Sequence, residues 1–127
     1  MIFGIGTDVV EVKRMTESLR RLGPSYAKSI LSETEYDDYV KSSHPSRFLA
    51  KRFAAKEAFV KALGTGFMAP AMPKNISVTH DKRGRPILEF NKELRSFMDY
   101  KRIDSEHISI SDEKNIASAF VVLSCKS

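Results

Sequence analysis

Hydrophobic and polar residues follow one another along the chain with the spacings of strands and helices. Residues 1–5 form a short apolar run and predict a buried strand. Glycine carries no Cβ atom, so Gly4 and Gly6 predict that the backbone of this strand closely approaches a neighbouring element. This first segment is therefore expected to pack within the core.

Two helices are predicted after this strand. The first is expected to open at Asp8, because Asp8 and Glu11 have the spacing of a capping box, and to end at a Gly-Pro pair. Its apolar side is thin and its outer side is basic. A second capping box, formed by Ser32 and Glu35, opens the other helix, which ends at Val40.

Residues 47–63 predict a third helix that is long, rich in alanine and uninterrupted by glycine or proline. At about 100° per residue its apolar residues form one stripe. Lys56 falls inside this stripe, and Glu57 and Lys61 lie along its edge. The alanines on the other side suit close approach by strands or by a second subunit. The stripe consists of Leu49, Phe53, Val60 and Leu63, and the alanines are at positions 50, 54, 55, 58 and 62.

The second half of the chain is typical of strands with one short helix. Asn91 is expected to cap a helix that runs to residue 100. Because hairpins follow one another, we expect an α+β fold with a mainly antiparallel sheet packed on the long buried helix. The sequence contains no repeat or linker, so residues 1–127 are expected to form one domain. The predicted strands are residues 76–80, 86–90, 107–111 and 116–124.

Composition and charge narrow the class of protein. Of the 127 residues 42% are hydrophobic, which suffices for one core, and the single cysteine, Cys125, cannot form an internal disulfide. Without a leader or an apolar run of about 20 residues, we expect a cytoplasmic protein with no membrane partner. The net charge of +5 favours an anionic partner and leaves nucleic acid, an acidic protein and a phosphorylated small molecule open.

Two carboxylates are candidates for chemistry. Asp8 follows the two glycines of the first segment, and Glu57 borders the apolar stripe of the long helix. A carboxylate in an apolar setting is usually paired with a cation or a metal ion, and Lys61 is the nearest local cation to Glu57. Alternatives stay open, because Asp8 also fits a simple helix cap and Glu57 with Lys61 also fits a surface ion pair.

Basic residues crowd the same long helix, and phosphate groups would neutralise them. Asp8 and Glu57 supply two hard oxygen ligands that suit Mg²⁺, because this ion keeps waters and takes substrate phosphate oxygens as further ligands. The turn at residues 64–66 lets backbone amides approach an anion, and it equally fits a plain helix stop. The basic residues are Arg47, Arg52, Lys56 and Lys61.

Other chemistries lack their sequence signatures. The chain has no nucleophile elbow, no dinucleotide or Walker loop and no zinc-type cysteine spacing. His107 and Ser109 lie on the polar face of their strand, where they fit either a phosphate contact or contact with water. A basic hairpin turn at residues 82–85 makes a nucleic-acid-binding module the main rival. We expect no nucleic-acid partner, because an aromatic stacking platform and a known binding motif are missing.

Three segments together resemble one family. They are residues 4–8 with Arg14, the long helix from residue 53 through the turn at 66, and His107 with Ser109 and Ser111. In this combination the chain resembles the bacterial holo-acyl-carrier-protein synthases, which are short phosphopantetheinyl transferases. The resemblance covers nearly the whole chain, and Asp112 departs from the family pattern.

The resemblance implies a reaction for fatty acid biosynthesis. The 4′-phosphopantetheine arm of coenzyme A (CoA) would pass to a serine of apo-acyl carrier protein, with release of adenosine 3′,5′-bisphosphate and with Mg²⁺ required. Asp8 and Glu57 would hold the ion on the CoA pyrophosphate, and Lys61 would offset charge on the leaving phosphate. Either Glu57 or a metal-bound water would accept the serine proton.

The resemblance also implies binding residues and an assembly. Arg14 matches the position that meets the acidic carrier protein, and Arg20 and Arg21 extend this basic face. Chains of this length resemble half of the larger, two-fold-repeated transferases. The resemblance implies a homotrimer with active sites between subunits. The implied CoA-binding residues are Arg47, Arg52, Lys56, Lys61, Gly64, Thr65, Gly66, Arg85, Pro86, His107 and Ser109.

Overall fold

A computed structural model describes residues 1–126 and confirms the α+β class. An antiparallel sheet has the strand order β1-β5-β4, and β2 pairs with β3 in a separate hairpin. None of the helices in these residues is long and apolar enough to cross a bilayer. The strands are β1 (Ile2–Glu11), β2 (Ile76–His80), β3 (Pro86–Phe90), β4 (Ile103–Asp112) and β5 (Ile116–Cys125). The helices are α1 (Val12–Leu22), α2 (Pro24–Ile30), α3 (Glu33–Val40), α4 (Pro45–Leu63) and α5 (Lys92–Tyr100), with a 3₁₀ turn at Pro73–Asn75.

The first strand is longer than the sequence pattern predicts. β1 continues through Asp8, which lies opposite Ala119 of β5. Helix α1 begins only at Val12, whose amide donates to the carbonyl of Asn115 (3.0 Å). The prediction that Asp8 caps a helix is therefore wrong, because the ladder to β5 holds the backbone around Asp8 in an extended conformation.

Two helices begin at prolines. The sequence pattern does not predict α2, and α4 begins at Pro45, slightly before its predicted start. Proline is tolerated in the first turn of a helix, because the amide that it lacks has no intrahelical partner there. The hairpin of β2 and β3 is confirmed, and so is the cap of α5, in which Asn91 Oδ1 accepts from the Leu94 amide (3.0 Å).

Helix α4 lies directly on β1, as the glycines of the first segment predict. A Cβ atom on Gly4 would collide with the carbonyl oxygen of Ala62, and a Cβ atom on Gly6 would collide with that of Ala58. The alanines on this side of α4 are buried. The close contact sets the polar side chains at the edge of α4 beside the polar residues of β1.

The three-stranded sheet has one covered face and one open face. Asp8 and Val10 are on the face that packs against α4, since successive residues of a strand alternate between faces. The other face carries Ile5, Val9 and Phe120, whose exposed fractions are 59%, 58% and 45%. Within the described residues, this face is a sheet surface with large apolar side chains in contact with solvent.

Candidate active site

Asp8 and Lys61 form an ion pair where β1 meets α4. Lys61 Nζ donates to Asp8 Oδ1 (3.1 Å) and to the carbonyl oxygen of Thr7 (3.0 Å). The Asp8 side chain is 17% exposed and that of Lys61 is 52% exposed. The ion pairs of residues 1–126 do not include one between Glu57 and Lys61. Lys61 therefore pairs with Asp8 on β1 and does not form the simple ion pair on the surface of α4.

Glu57 lies beside this pair, half-buried on the same side of α4. Burial raises the pKa of its carboxyl above the ordinary value, and the charge of Asp8 raises that pKa further. The charges of Lys61 and Arg14 act in the opposite direction. In the described part of the chain no hydrogen bond ends on the Glu57 carboxylate, so both of its oxygens are free to meet a ligand.

The donor set of this cluster decides which metal ion it fits. Residues 1–126 contain no group of three or more His, Cys, Asp or Glu side chains placed to hold a metal ion. Asp8 and Glu57 therefore offer carboxylate oxygens alone, without a complete cage. That set fits Mg²⁺, which prefers oxygen ligands and commonly completes its coordination with waters and substrate phosphates.

Arg14 connects α1 to this cluster. Its guanidinium carbon lies 5.3 Å from the centroid of the Phe53 ring on α4, and its charge acts on Glu57. Arg20 and Arg21 lie exposed in the last turn of the same helix. The three arginines predicted to contact an acidic partner thus belong to one helix next to the carboxylates.

A second group of predicted residues meets at β4 and the hairpin. Arg85, Pro86 and His107 line one cavity of about 180 Å³. Pro86 also borders a neighbouring cleft of about 200 Å³, which Arg52 lines as well. Three further residues of that cleft are not predicted from the sequence, because a lone aromatic, lysine or histidine carries no local signal. They are Phe48, Lys51 and His80.

Lys56 requires a correction. Its side chain is fully buried, and Nζ donates to the Glu35 carboxylate, to the carbonyl of Ile30 (2.7 Å) and to that of Pro73 (2.9 Å). Burial lowers the pKa of this ammonium group to about 8, against the opposing effect of Glu35. With all three donors engaged inside the protein, Lys56 is not available to a CoA phosphate in this structure.

Glu35 has a larger role in the core than its sequence position predicts. It does close the predicted capping box, since the Ser32 amide donates to Oε1 (2.9 Å). It also accepts from Arg52 (3.2 Å) and from the Val78 amide (2.9 Å), with only 1% of the residue exposed. The capping spacing was the only local signal, and it does not reveal that this carboxylate compensates two buried cations.

The turn after α4 closes the helix. The amides of Gly64, Thr65 and Gly66 all lie within hydrogen-bond distance of the Val60 carbonyl oxygen, at 3.0, 3.3 and 3.3 Å. Gly64 has a φ of 87°, which suits glycine at a helix end. In this structure the turn is thus a helix stop, and its contact with CoA stays a prediction.

Comparisons with known proteins define the class and then the family. Residues 4–120 match the family model of the 4′-phosphopantetheinyl transferase superfamily. The chain is 52% identical over 123 residues to the holo-[acyl-carrier-protein] synthase of Nitrosomonas eutropha, covering 97% of this chain and 98% of that protein. It therefore belongs to the holo-[acyl-carrier-protein] synthase family, and the resemblance of the sequence is confirmed.

Solved structures agree with this assignment. The crystal structure of holo-[acyl-carrier-protein] synthase from Neisseria meningitidis has a TM-score of 0.95 and 39% identity, covering 98% of this chain and 99% of that one. A holo-(acyl-carrier-protein) synthase from Bacillus anthracis, solved in complex with CoA (3′,5′-ADP), has a TM-score of 0.83 and 36% identity, covering 99% of both chains. The fold around Asp8 and Glu57 is thus the fold of these synthases.

Proposed function

We propose that this protein transfers the 4′-phosphopantetheine group from CoA to a serine hydroxyl of apo-acyl carrier protein, for fatty acid biosynthesis. The products are holo-acyl carrier protein and adenosine 3′,5′-bisphosphate. The observation that carries the proposal is the cluster of Asp8, Glu57 and Lys61 at the contact of β1 with α4. It occurs in a chain similar over nearly its full length to holo-[acyl-carrier-protein] synthases.

Asp8 and Glu57 are the residues that would hold Mg²⁺ at this site. When bound, the ion supplies positive charge to the CoA pyrophosphate, on which negative charge develops as the bond breaks. Lys61 adds a second positive charge, and its contacts with Asp8 and the Thr7 carbonyl orient Nζ beside the carboxylates. We propose that in this orientation Lys61 stabilises the leaving phosphate.

Glu57 is our choice for the group that accepts the serine proton. Burial and the charge of Asp8 raise the pKa of Glu57, and a raised pKa makes a carboxylate a better base near neutral pH. A carboxylate has two oxygens, so Glu57 can hold an ion and accept a proton at different atoms. The serine oxygen then bonds to the phosphorus next to the pantetheine arm, and the bond from that phosphorus to the leaving phosphate oxygen breaks.

The cavity lined by Arg85, Pro86 and His107 is the place we propose for the adenosine part of CoA. Its apolar side chains suit the adenine ring, and its Arg85 and His107 side chains can contact phosphate. Arg52 and Arg47 add positive charge nearby, and Ser109 lies on the same strand face as His107. Lys56 is left out of this set because all three of its donors are engaged inside the protein.

The assembly we propose is a homotrimer with sites between subunits. Asp8 lies on the covered face of β1, whereas His107 lies on the open face of β4, and β5 separates the two strands. A CoA molecule that meets both groups is best accommodated where the β1 edge of one subunit faces the β4 edge of the next. The open face with Ile5, Val9 and Phe120 offers further apolar surface for neighbouring subunits to bury.

Phe120→Asp is expected to convert the assembly to monomers, because a charge on the open face opposes its burial in a subunit contact. Light scattering during size-exclusion chromatography measures the mass directly. Tyr100→Asp is the matched control, since Tyr100 is 83% exposed on α5, and it should leave the mass unchanged. A monomeric unmodified protein, or a Phe120→Asp variant that keeps the full assembly, would contradict the proposed trimer contact.

Arg14→Glu is expected to weaken binding of apo-acyl carrier protein by at least about tenfold, because it replaces attraction to an acidic partner with repulsion. The KM for the carrier protein should rise while CoA binding, measured by calorimetry, stays the same. Lys92→Glu, at an exposed position on α5, changes the net charge equally and serves as the control. Equal losses of carrier and CoA binding in Arg14→Glu would place this arginine elsewhere in the mechanism.

The function is tested by intact-mass spectrometry of apo-acyl carrier protein after incubation with this protein and CoA. With Mg²⁺ we expect the carrier mass to increase by one phosphopantetheine group, and with EDTA in place of Mg²⁺ we expect no increase. A carrier that a known transferase modifies under the same conditions provides the control. No mass gain on that carrier would refute the proposed activity, and a full gain in EDTA would refute the metal requirement.

A further inference from the structure

A cleft of about 200 Å³ between α4, the β2–β3 hairpin and β4 has a basic lining. The Arg52 guanidinium stacks on Phe48, with its carbon 4.4 Å from the ring centroid, and one of its nitrogens is fixed by Glu35 and the Val78 carbonyl. Lys51 and His80 also line the cleft. These side chains form a surface that attracts anions.

The electrostatic effect of this lining is visible at His80. Burial lowers the pKa of its imidazole below the ordinary value, and the positive charges of Arg52 and Lys51 lower it further. Asp38 and Asp81 act in the opposite direction without cancelling that effect. The two cations of the lining thus disfavour a further positive charge at His80.

Asp112 is the one carboxylate among the residues that line this cleft. Its Oδ2 accepts from a terminal nitrogen of Arg47 on α4 at 2.8 Å. The side chains of Arg47 and Asp112 are 39% and 27% exposed, so the pair lies where a ligand can reach it. An internal anion thus holds the arginine beside a cleft that otherwise attracts anions from solution.

We propose that Asp112 sets the affinity of this cleft for phosphate, by competing with a phosphate group of the ligand for Arg47. The inference rests on the proposed function, in which Arg47 and Arg52 add positive charge near the phosphates of CoA. Adenosine 3′,5′-bisphosphate keeps phosphates that CoA also carries, so the same carboxylate weakens binding of substrate and product alike. Weaker binding of the product favours its release after transfer.

The test is the dissociation constant of adenosine 3′,5′-bisphosphate, measured by calorimetry at low salt for Asp112→Asn and for the unmodified protein. Removing one like charge at a partly exposed site is expected to tighten binding about two- to fivefold. Glu113→Gln is the matched control, because it changes the net charge equally at the next, exposed residue, and it should leave the constant unchanged. Circular dichroism verifies that each variant is folded.

A double-mutant cycle with Arg47→Ala measures how far the effect of Asp112 on binding depends on Arg47. If Asp112 acts through Arg47, then Asp112→Asn should have less effect on binding when Arg47 is absent. Unchanged or weaker binding in the single variant Asp112→Asn overturns the inference, and weaker binding would mean that Asp112 orients Arg47 toward the ligand. Absence of bisphosphate binding to the unmodified protein also overturns it. Failure of the carrier mass assay alone refutes the proposed function and leaves the competition at Arg47 supported by its own binding data.

Discussion

Glu57→Gln is expected to lower kcat/KM for phosphopantetheine transfer by at least about a thousandfold while the protein stays folded. Glutamine preserves the size of the side chain but removes the negative charge that would hold an ion and the basicity that would accept the serine proton. Because burial raises the pKa of Glu57, its ionised form is disfavoured by the fold. Its neutral replacement should therefore leave the free energy of unfolding unchanged or slightly higher.

Carrier mass and urea unfolding, measured on the same preparation, separate chemistry from folding in this variant. Glu93→Gln is the matched control, since Glu93 lies exposed on α5 and its replacement removes the same charge. Near-normal transfer by a folded Glu57→Gln variant would refute the assigned role. A loss of transfer that follows a loss of stability would instead give Glu57 a structural role.

Glu35→Ala is expected to lower the free energy of unfolding by about 3–5 kcal/mol. This substitution removes the carboxylate that accepts from Lys56 and Arg52 and leaves two buried cations without their counter-charge. It also leaves the amides of Ser32 and Val78 without acceptors. A loss of this size is a large part of the total stability of an ordinary domain, about 5–15 kcal/mol.

The urea midpoint of unfolding, followed by circular dichroism, measures this loss. Glu33→Ala removes the same charge from an exposed position in the first turn of α3, where we expect a cost of no more than about 1 kcal/mol. If Glu35→Ala costs as little as Glu33→Ala, the buried pairs do not stabilise the fold. Glu35→Gln tests the charge separately from the hydrogen bonds, and we expect a result between the other two.

The sequence predicts most of the elements because their signals are local. The helix cap at Asn91 and the hairpin turn between β2 and β3 are each determined by residues a few positions apart. Both predictions are confirmed. Helix α2 is missed because a Gly-Pro pair signals the end of one helix as strongly as the start of the next.

The site is harder to predict because its partners are distant in sequence. Asp8 is a favourable cap residue by its neighbours, and only pairing with β5, over a hundred residues later, makes it a strand residue. Lys56 is correctly predicted to fall in the apolar stripe, but its partner Glu35 lies 21 residues away, which no local pattern reveals. Residue type and spacing thus predict the candidate carboxylates. Which cations pair with carboxylates depends on long-range packing, which these local patterns do not contain.

The position of Asp8 within a strand restricts how the gene for this protein can change in length. A strand alternates its side chains between two faces, so deleting or inserting one residue between Gly6 and Asp8 would shift the carboxylate to the face opposite α4. Changes of one residue there should therefore be lost during evolution. Inserting or deleting one residue in the exposed turn between β4 and β5 does not move side chains to the other face of the sheet. Natural variation in chain length should therefore concentrate in turns of that kind.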